Sequence, residues 1–285
     1  MNTKIRLVTV TGSRTNTLWH MLNHYKDLVD EMYVVVYEWE KTTTYDSVND
    51  IVKQFSNARI VLREVHEKYN WETVTKLYNR VKGLHPNDWW VVSDDDEFHL
   101  YSLPLETIIK DCETNGWDIV RGGFIDRIGL DGEFVEIVDG EDIFKQFPYA
   151  GFFRYAMSGA CPNKICIVKG DIEITAGQHY AKIDGHTTWK WQGWNHPLIA
   201  PIEKYNVQVH HFKWDKTCIE RIKAVADEKK DYSYSDEYEK MYKGLRRNGF
   251  KIDLENPKYM FSKVEQKNYT YYKNWKKLLN KIVSI

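Results

Sequence analysis

The chain opens with strand and helix signals in alternation. Ile5 to Val10 (IRLVTV) is a short run rich in β-branched residues, followed by the turn-forming Thr11, Gly12 and Ser13, and reads as a strand. Leu18, Met21, Leu22 and Tyr25 then recur at i, i+3, i+4 and i+7, one face of a helix, with Thr15 or Asn16 as its N-cap. Met32 to Tyr37 (MYVVVY) is apolar without interruption, the pattern of a strand covered on both faces of a parallel sheet. A helix over Asp46 to Phe55 follows, with Val48, Ile51, Val52 and Phe55 inward, then a strand at Ala58 to Leu62. Asn70 caps the next helix, whose Trp71, Val74, Tyr78 and Val81 share a face before Gly83, His85 and Pro86 stop it. A fourth apolar strand, Trp89 to Val92, ends in Ser93. This βαβαβαβ order predicts an α/β fold with a mostly parallel central sheet flanked by helices.

Beyond residue 100 the pattern is less regular. A helix begins near Pro104 (Leu105, Ile108, Ile109, Cys112) and a strand runs from Trp117 to Arg121, whereas Gly122 to Gly159, rich in Gly, Asp and aromatic residues, reads as irregular. Strand-like pieces at Ile165 to Val168, Ile172 to Thr175 and Val207 to His210 predict a small additional sheet. The tail is helical and charged, with Trp275, Leu278, Leu279 and Ile282 at helical spacing and lysines opposite, so C-terminal helices are expected. The predicted organisation is one domain over 1–215, divided near residue 100, and a helical extension over 216–285.

Composition narrows the partners. Forty basic against 41 acidic side chains leave a net charge of -1 over 285 residues, so no global positive field collects nucleic acid. The longest apolar stretch, Met32 to Tyr37, is far below the roughly 20 residues of a membrane helix. The first residues carry no signal-peptide pattern, and Cys112, Cys161, Cys166 and Cys218 have no zinc spacing. A cytoplasmic chain with reduced thiols and no transmembrane segment is expected. The basic stretch Lys273 to Lys281 suits peripheral contact with an anionic membrane, although a helix packed on the domain with its lysines solvated explains it better. The unusual number is the aromatic content, 14% with 11 Trp and 19 Tyr, suited to a heavily aromatic core or to stacking on ring-shaped ligands.

The segment Trp89 to Phe98 (WWVVSDDDEF) concentrates the chemistry. An apolar strand delivers Asp94, Asp95, Asp96 and Glu97 in succession, and in an extended chain Asp94 and Asp96 face one side and Asp95 the other. Two carboxylates about 4 Å apart repel by about 4 kcal/mol at an effective dielectric of 20, so positive charge belongs between them. Mg²⁺ or Mn²⁺ fits, because these ions prefer oxygen ligands and pair with one or two carboxylates plus substrate phosphates. Open parallel sheets also bind ligands beyond the carboxyl ends of their strands.

A βαβαβαβ half ending in an apolar strand and D-x-D-E-F resembles the GT-A glycosyltransferases, most closely their family 2-like, DxDEF-motif group. The resemblance rests on Thr11 and Arg14 after the first strand, Glu38 after the second, Lys76 and Asn79 on the helix before the fourth, and Asp94, Asp96, Glu97 and Phe98. Later in the chain it extends to Asp126-Arg127 and to His211-Phe212-Lys213-Trp214, similar to the H-[FY]-K-W segment of these enzymes. It implies a GT-A fold, with residues 1–100 as the nucleotide-binding half and 101–215 as the acceptor half. The implied activity is sugar transfer from a nucleotide-diphosphate sugar to the hydroxyl of a glycan or other acceptor, dependent on Mn²⁺ or Mg²⁺. Asp94, Asp96 and His211 would hold the metal. Thr11, Arg14, Glu38, Lys76 and Asn79 would surround the nucleotide, and Asp95 would meet ribose or sugar hydroxyls.

Three further expectations concern the rest of the site. His179, in Ala176 to Tyr180, is a second histidine for the donor or acceptor pocket. Inverting transfer needs a general base, for which Asp126 stands first, after a strand and the glycines Gly122 and Gly123, and Asp184 second. Phe147, Tyr149, Phe152, Phe153, Tyr155, Trp189, Trp191 and Trp194 are expected to serve stacking on the acceptor side. Two alternatives remain: a sugar nucleotidyltransferase or hydrolase, against which the single glycine of Thr11-Gly12-Ser13-Arg14 counts, and a non-catalytic carbohydrate-binding protein.

Overall fold

In the computed structural model, which describes residues 3–12, 14–39, 43–188, 196–227, 234–265 and 267–283, strands and helices alternate from the start. The first half runs β1 (Ile5–Thr11), α1 (Leu18–Tyr25), β2 (Glu31–Trp39), α2 (Tyr45–Val52), β3 (Ala58–His66), α3 (Trp71–Lys82), β4 (Trp89–Val92), β5 (Glu97–Leu100), α4 (Leu105–Asn115) and β6 (Ile119–Ile128). Next come α5 (Ile143–Gln146), β7 (Tyr149–Gly151), α6 (Phe153–Ser158), β8 (Asn163–Lys169), β9 (Glu173–Ile174), β10 (Ala181–Ile183) and β11 (His186–Thr187). The last are β12 (Val207–His211), α7 (Cys218–Asp227), α8 (Ser235–Arg247), β13 (Ser262–Lys263) and α9 (Trp275–Val283). The chain divides into two compact units, Met1–Gly123 with Asn163–Gln208, and Phe124–Pro162 with Val209–Ile285.

The first unit carries a mostly parallel sheet in the order β3-β2-β1-β4-β8-β6, in which β8 runs against the rest. Helices flank it, and the predicted α/β architecture is observed; the small antiparallel sheet is β9, β10 and β11, to which only Ile172 to Thr175 of the three expected pieces contributes, Ile165 to Val168 lying in β8 of the central sheet and Val207 to His210 in β12. The core explains the apolar runs: Val8, Val35, Trp90, Val92, Ile119, Ile165 and Val168 cluster with under 5% exposure each. Trp89 and Trp90 are fully buried, as core strand residues should be. Asn70 caps α3 as expected, its side chain accepting from Thr73 N–H at 2.9 Å, whereas α1 starts after Thr17 with no side-chain cap.

Sheet order has a functional consequence. From β1 the chain moves to β2 and β3 on one side, then crosses back through α3 to place β4 on the other side of β1. Such a reversal leaves a crevice between the carboxyl ends of the two central strands, where open α/β sheets take their ligands. Those ends are Thr11 and Val92.

Two segments differ from expectation. The strand read as ending at Arg121 runs on to Ile128, straight through Gly122 and Gly123. Gly122 permits close packing: a Cβ there would lie 2.4 Å from Val207 O and 2.7 Å from Cys166 Sγ. The third strand continues to His66 because it lies at the sheet edge, where charged Arg63 and Glu64 are tolerated.

In the second unit Asp126 to Ile128 of β6 pairs with β7, and β7 pairs with β13. The stretch expected to be irregular thus contains α5, β7 and α6. Ile128, Phe153, Trp214, Cys218, Ile222, Met241 and Leu245 form its core. Trp275, Leu278, Leu279 and Ile282 of α9 are buried while Lys276, Lys277 and Lys281 are exposed, the packed-helix alternative. Among the described residues no helix is long and apolar enough to cross a membrane.

Candidate active site

Beyond Ser93 the chain reverses in a four-residue turn, Asp94 to Glu97, closed by Glu97 N–H donating to Asp94 O at 3.0 Å. The extended geometry assumed for this segment is therefore corrected. Side chains of a turn fan outward instead of alternating, and the carboxylates divide differently: Asp95 and Asp96 turn to the end of β1, while Asp94 and Glu97 share one partner.

Thr11 Oγ1 donates to Asp95 Oδ2 at 2.7 Å, and Arg14 pairs with Asp96 Oδ2 at 2.6 Å. Both contacts join the carboxyl end of β1 to the turn after β4, across the crevice that the strand order creates. Burial, aided by the neighbouring Asp96 carboxylate, pushes Asp95 up to about 7 against the opposing pull of Arg14 and Thr11.

Asp94 accepts from Tyr78 OH at 2.7 Å and from Lys164 Nζ at 3.1 Å. The same ammonium lies 2.8 Å from Glu97 Oε1 and donates to the Gln178 side-chain carbonyl. Lys164 is 1% exposed, and a lysine so deeply buried is rare without carboxylate partners. Burial alone would lower its pKa; Asp94 and Glu97 outweigh burial and raise it, so the ammonium is retained. Burial pushes Glu97 up to about 8 despite Lys164.

The other residues expected around the nucleotide separate into structural and open positions. Glu38 is fully buried and accepts from Thr44 N–H (2.7 Å), Tyr45 N–H (3.0 Å) and Arg63 Nε (2.8 Å). Burial would raise its pKa, but these donors prevail and lower it. Glu38 thus organises the start of α2. Asn79 bonds both backbone groups of Ile174 at 2.9 Å, pinning β9 to α3, whereas Lys76 is exposed on α3. His179 Nδ1 lies 2.7 Å from Asn163 O, and the adjacent Gln178 is held at φ 53° while its carbonyl meets Lys164. Asp184 and Gly185, at φ 51° and 75°, are the two turn residues of the β10–β11 hairpin, which gives Asp184 a turn role.

Within the second unit Asp126 is 1% exposed. It accepts from Arg154 N–H at 2.8 Å and Trp214 Nε1 at 3.0 Å, and His211 Nδ1 lies 3.6 Å from its Oδ1. The H-F-K-W segment is thereby anchored through its tryptophan, with His211 5% exposed on β12. Phe147, Phe152 and Phe153 are buried core side chains and not stacking platforms, because their rings fill the unit's interior. Trp189, Trp191 and Trp194 lie outside the described residues.

No family model and no curated protein matches this chain. Loosely similar solved structures do. Residues 1–349 of S. aureus TarS are 14% identical over 89% of this chain and 77% of that one, with a TM-score of 0.36. A mannose-6-phosphate isomerase from Helicobacter pylori is 13% identical, covering 59% of this chain and 71% of that one, TM-score 0.33. A 4-diphosphocytidyl-2C-methyl-D-erythritol synthase from Anaerococcus prevotii is 16% identical, covering 59% and 72%, TM-score 0.30. Likenesses at this level carry no argument about activity, which must come from the residues.

The sequence pattern did not single out Lys164, Tyr78 or Gln178. A signal for Lys164 existed. It stands two positions before Cys166 and four before Val168, on one face of β8, where every residue but the last is buried. A charged residue there must be paired. The partner role of Tyr78 was masked because its ring belongs to the apolar face of α3, while its hydroxyl reaches the turn.

Proposed function

We propose that this protein is a glycosyltransferase that moves a sugar from a nucleotide-diphosphate donor to an acceptor hydroxyl, with the acidic turn after β4 as its donor site. The observation that carries the reading is the pair of contacts Thr11–Asp95 and Arg14–Asp96 across the point where the sheet order reverses. The resemblance of D-x-D-E-F to the GT-A group supplies the reaction class.

Asp94 and Asp96 are the proposed ligands of a divalent cation. Their chemistry fits: both are hard oxygen donors, each already holds a cationic side chain, and Asp94 keeps 37% of its side chain exposed. When bound, Mn²⁺ or Mg²⁺ would act as a Lewis acid toward the diphosphate leaving group. Thr11 and Arg14 hold Asp95 and Asp96 in place, and Tyr78 fixes Asp94 Oδ1 while Lys164 holds its Oδ2. Asp126 is assigned to holding Trp214 and the start of α6 and not to proton transfer, since both its oxygens already accept N–H groups.

A panel of nucleoside diphosphates and nucleotide sugars, screened by thermal shift with and without Mn²⁺, tests the donor site. A ligand that binds the native state raises its stability with the logarithm of saturation. Metal-dependent stabilisation by at least one nucleotide, lost in Asp96→Ala, is expected. Stabilisation that ignores both the metal and Asp96 would refute the assignment.

A further inference from the structure

Lys164 comes from β8, outside the βαβαβαβ segment that builds the acidic turn, and its ammonium is the buried positive charge between Asp94 and Glu97. It is held from a third side by Gln178, a non-glycine residue kept at φ 53°. Left-handed backbone at such a residue is a local cost that persists only where the surroundings impose it. The contact aims a neutral carbonyl at the ammonium.

We propose that Lys164 is a resident counter-cation of the acidic turn: it holds Asp94 and Glu97 together when no ion is bound and weakens the turn's affinity for a divalent cation. The inference rests on the reading of Asp94 and Asp96 as cation ligands. The effect is Coulombic. An ion that takes Asp94 as ligand approaches a half-buried carboxylate that already holds an ammonium 3.1 Å away, and the like charges of ion and ammonium repel. The ammonium also ties the turn together without metal, because Asp94 and the 2% exposed Glu97 both accept from it, at 3.1 and 2.8 Å. Lys164 is thus a positioning residue that acts through Asp94 and Glu97.

The test is Mn²⁺ titration followed by the electron paramagnetic resonance signal of the free ion, on the full chain. The proteins are wild type, Lys164→Met, Lys164→Arg, Glu97→Gln, the Glu97→Gln/Lys164→Met double variant, and Asp96→Ala. Lys164→Met is expected to bind Mn²⁺ at least tenfold more tightly than wild type, and the double variant at least tenfold more tightly than Glu97→Gln alone. Lys164→Arg, which keeps the charge, is expected to stay near wild type. A merely structural lysine would lower metal affinity on removal, never raise it. If Lys164→Met fails to fold, the comparison of the double variant with Glu97→Gln decides, because there the buried pair is removed together. Unchanged or weaker Mn²⁺ binding on loss of the lysine in the folded proteins overturns the inference. Uptake by wild type that Asp96→Ala does not reduce, or no uptake by any of the proteins, overturns the cation reading itself and the inference with it.

Discussion

The hydroxyl of Thr11 donates to the Asp95 carboxylate at 2.7 Å, so the last residue of β1 is bonded to the turn that follows its neighbour β4. This contact closes the crevice floor at the point where the strand order reverses. Thr11→Val keeps the shape and deletes the donor. It is expected to cost about 1–3 kcal/mol, since it leaves a half-buried carboxyl group without its donor, and Thr11→Ser is expected to recover most of that loss. Urea denaturation of the two variants checks both outcomes.

Gly12 stands against the end of β2. A Cβ there would lie 2.1 Å from Tyr37 O and 2.6 Å from the Trp39 ring, so the loop must move to accept it. Gly12→Ala is expected to destabilise the fold by roughly 1–3 kcal/mol through overpacking and to weaken nucleotide binding. Thermal shift with and without nucleotide measures the two effects; a silent variant would contradict the packing seen around Thr11.

Glu38 gives a pH signature. Its folded pKa is lowered, because the Arg63 and backbone donors outweigh burial. The carboxylate therefore contributes stability above its unfolded pKa and loses it as the pH falls through the folded value. Glu38→Gln is expected to be less stable than wild type by about 2 kcal/mol at neutral pH, with the gap closing below the ordinary carboxylate range. Denaturant melts of both proteins across that range are the check, and a gap that widens on acidification would be the wrong sign.

Asp126 satisfies Trp214 Nε1 and the backbone N–H of Arg154. Asp126→Ala leaves two buried donors without acceptors and is expected to cost roughly 2–5 kcal/mol, while Asp126→Asn, which keeps one carbonyl, costs less. Loss of sugar transfer in Asp126→Asn, with stability and donor hydrolysis intact, would return this residue to the role of acceptor base.

The first half of the fold was legible because buried parallel strands write uninterrupted apolar runs, and MYVVVY and WWVV are such runs. Gly122 misled, because a glycine that permits strand-to-strand approach has the same letter as one that ends a strand. The acidic turn was legible as chemistry but not as geometry. Four successive carboxylates signal a cation, yet which of them point together depends on the turn that Glu97 N–H closes on Asp94. Lys164 belongs to a strand 70 positions away from Asp94 in the sequence, and no local pattern connects the two.

The proposed reaction cleaves a nucleotide sugar at the bond between the sugar and the diphosphate. Purified protein incubated with nucleotide sugars and Mn²⁺, with products resolved by ion-exchange chromatography, tests it most directly. Release of a nucleoside diphosphate, abolished by Asp96→Ala, is expected. Formation of inorganic pyrophosphate from a nucleoside triphosphate and a sugar phosphate, or nucleoside diphosphate release unchanged in Asp96→Ala, would contradict it.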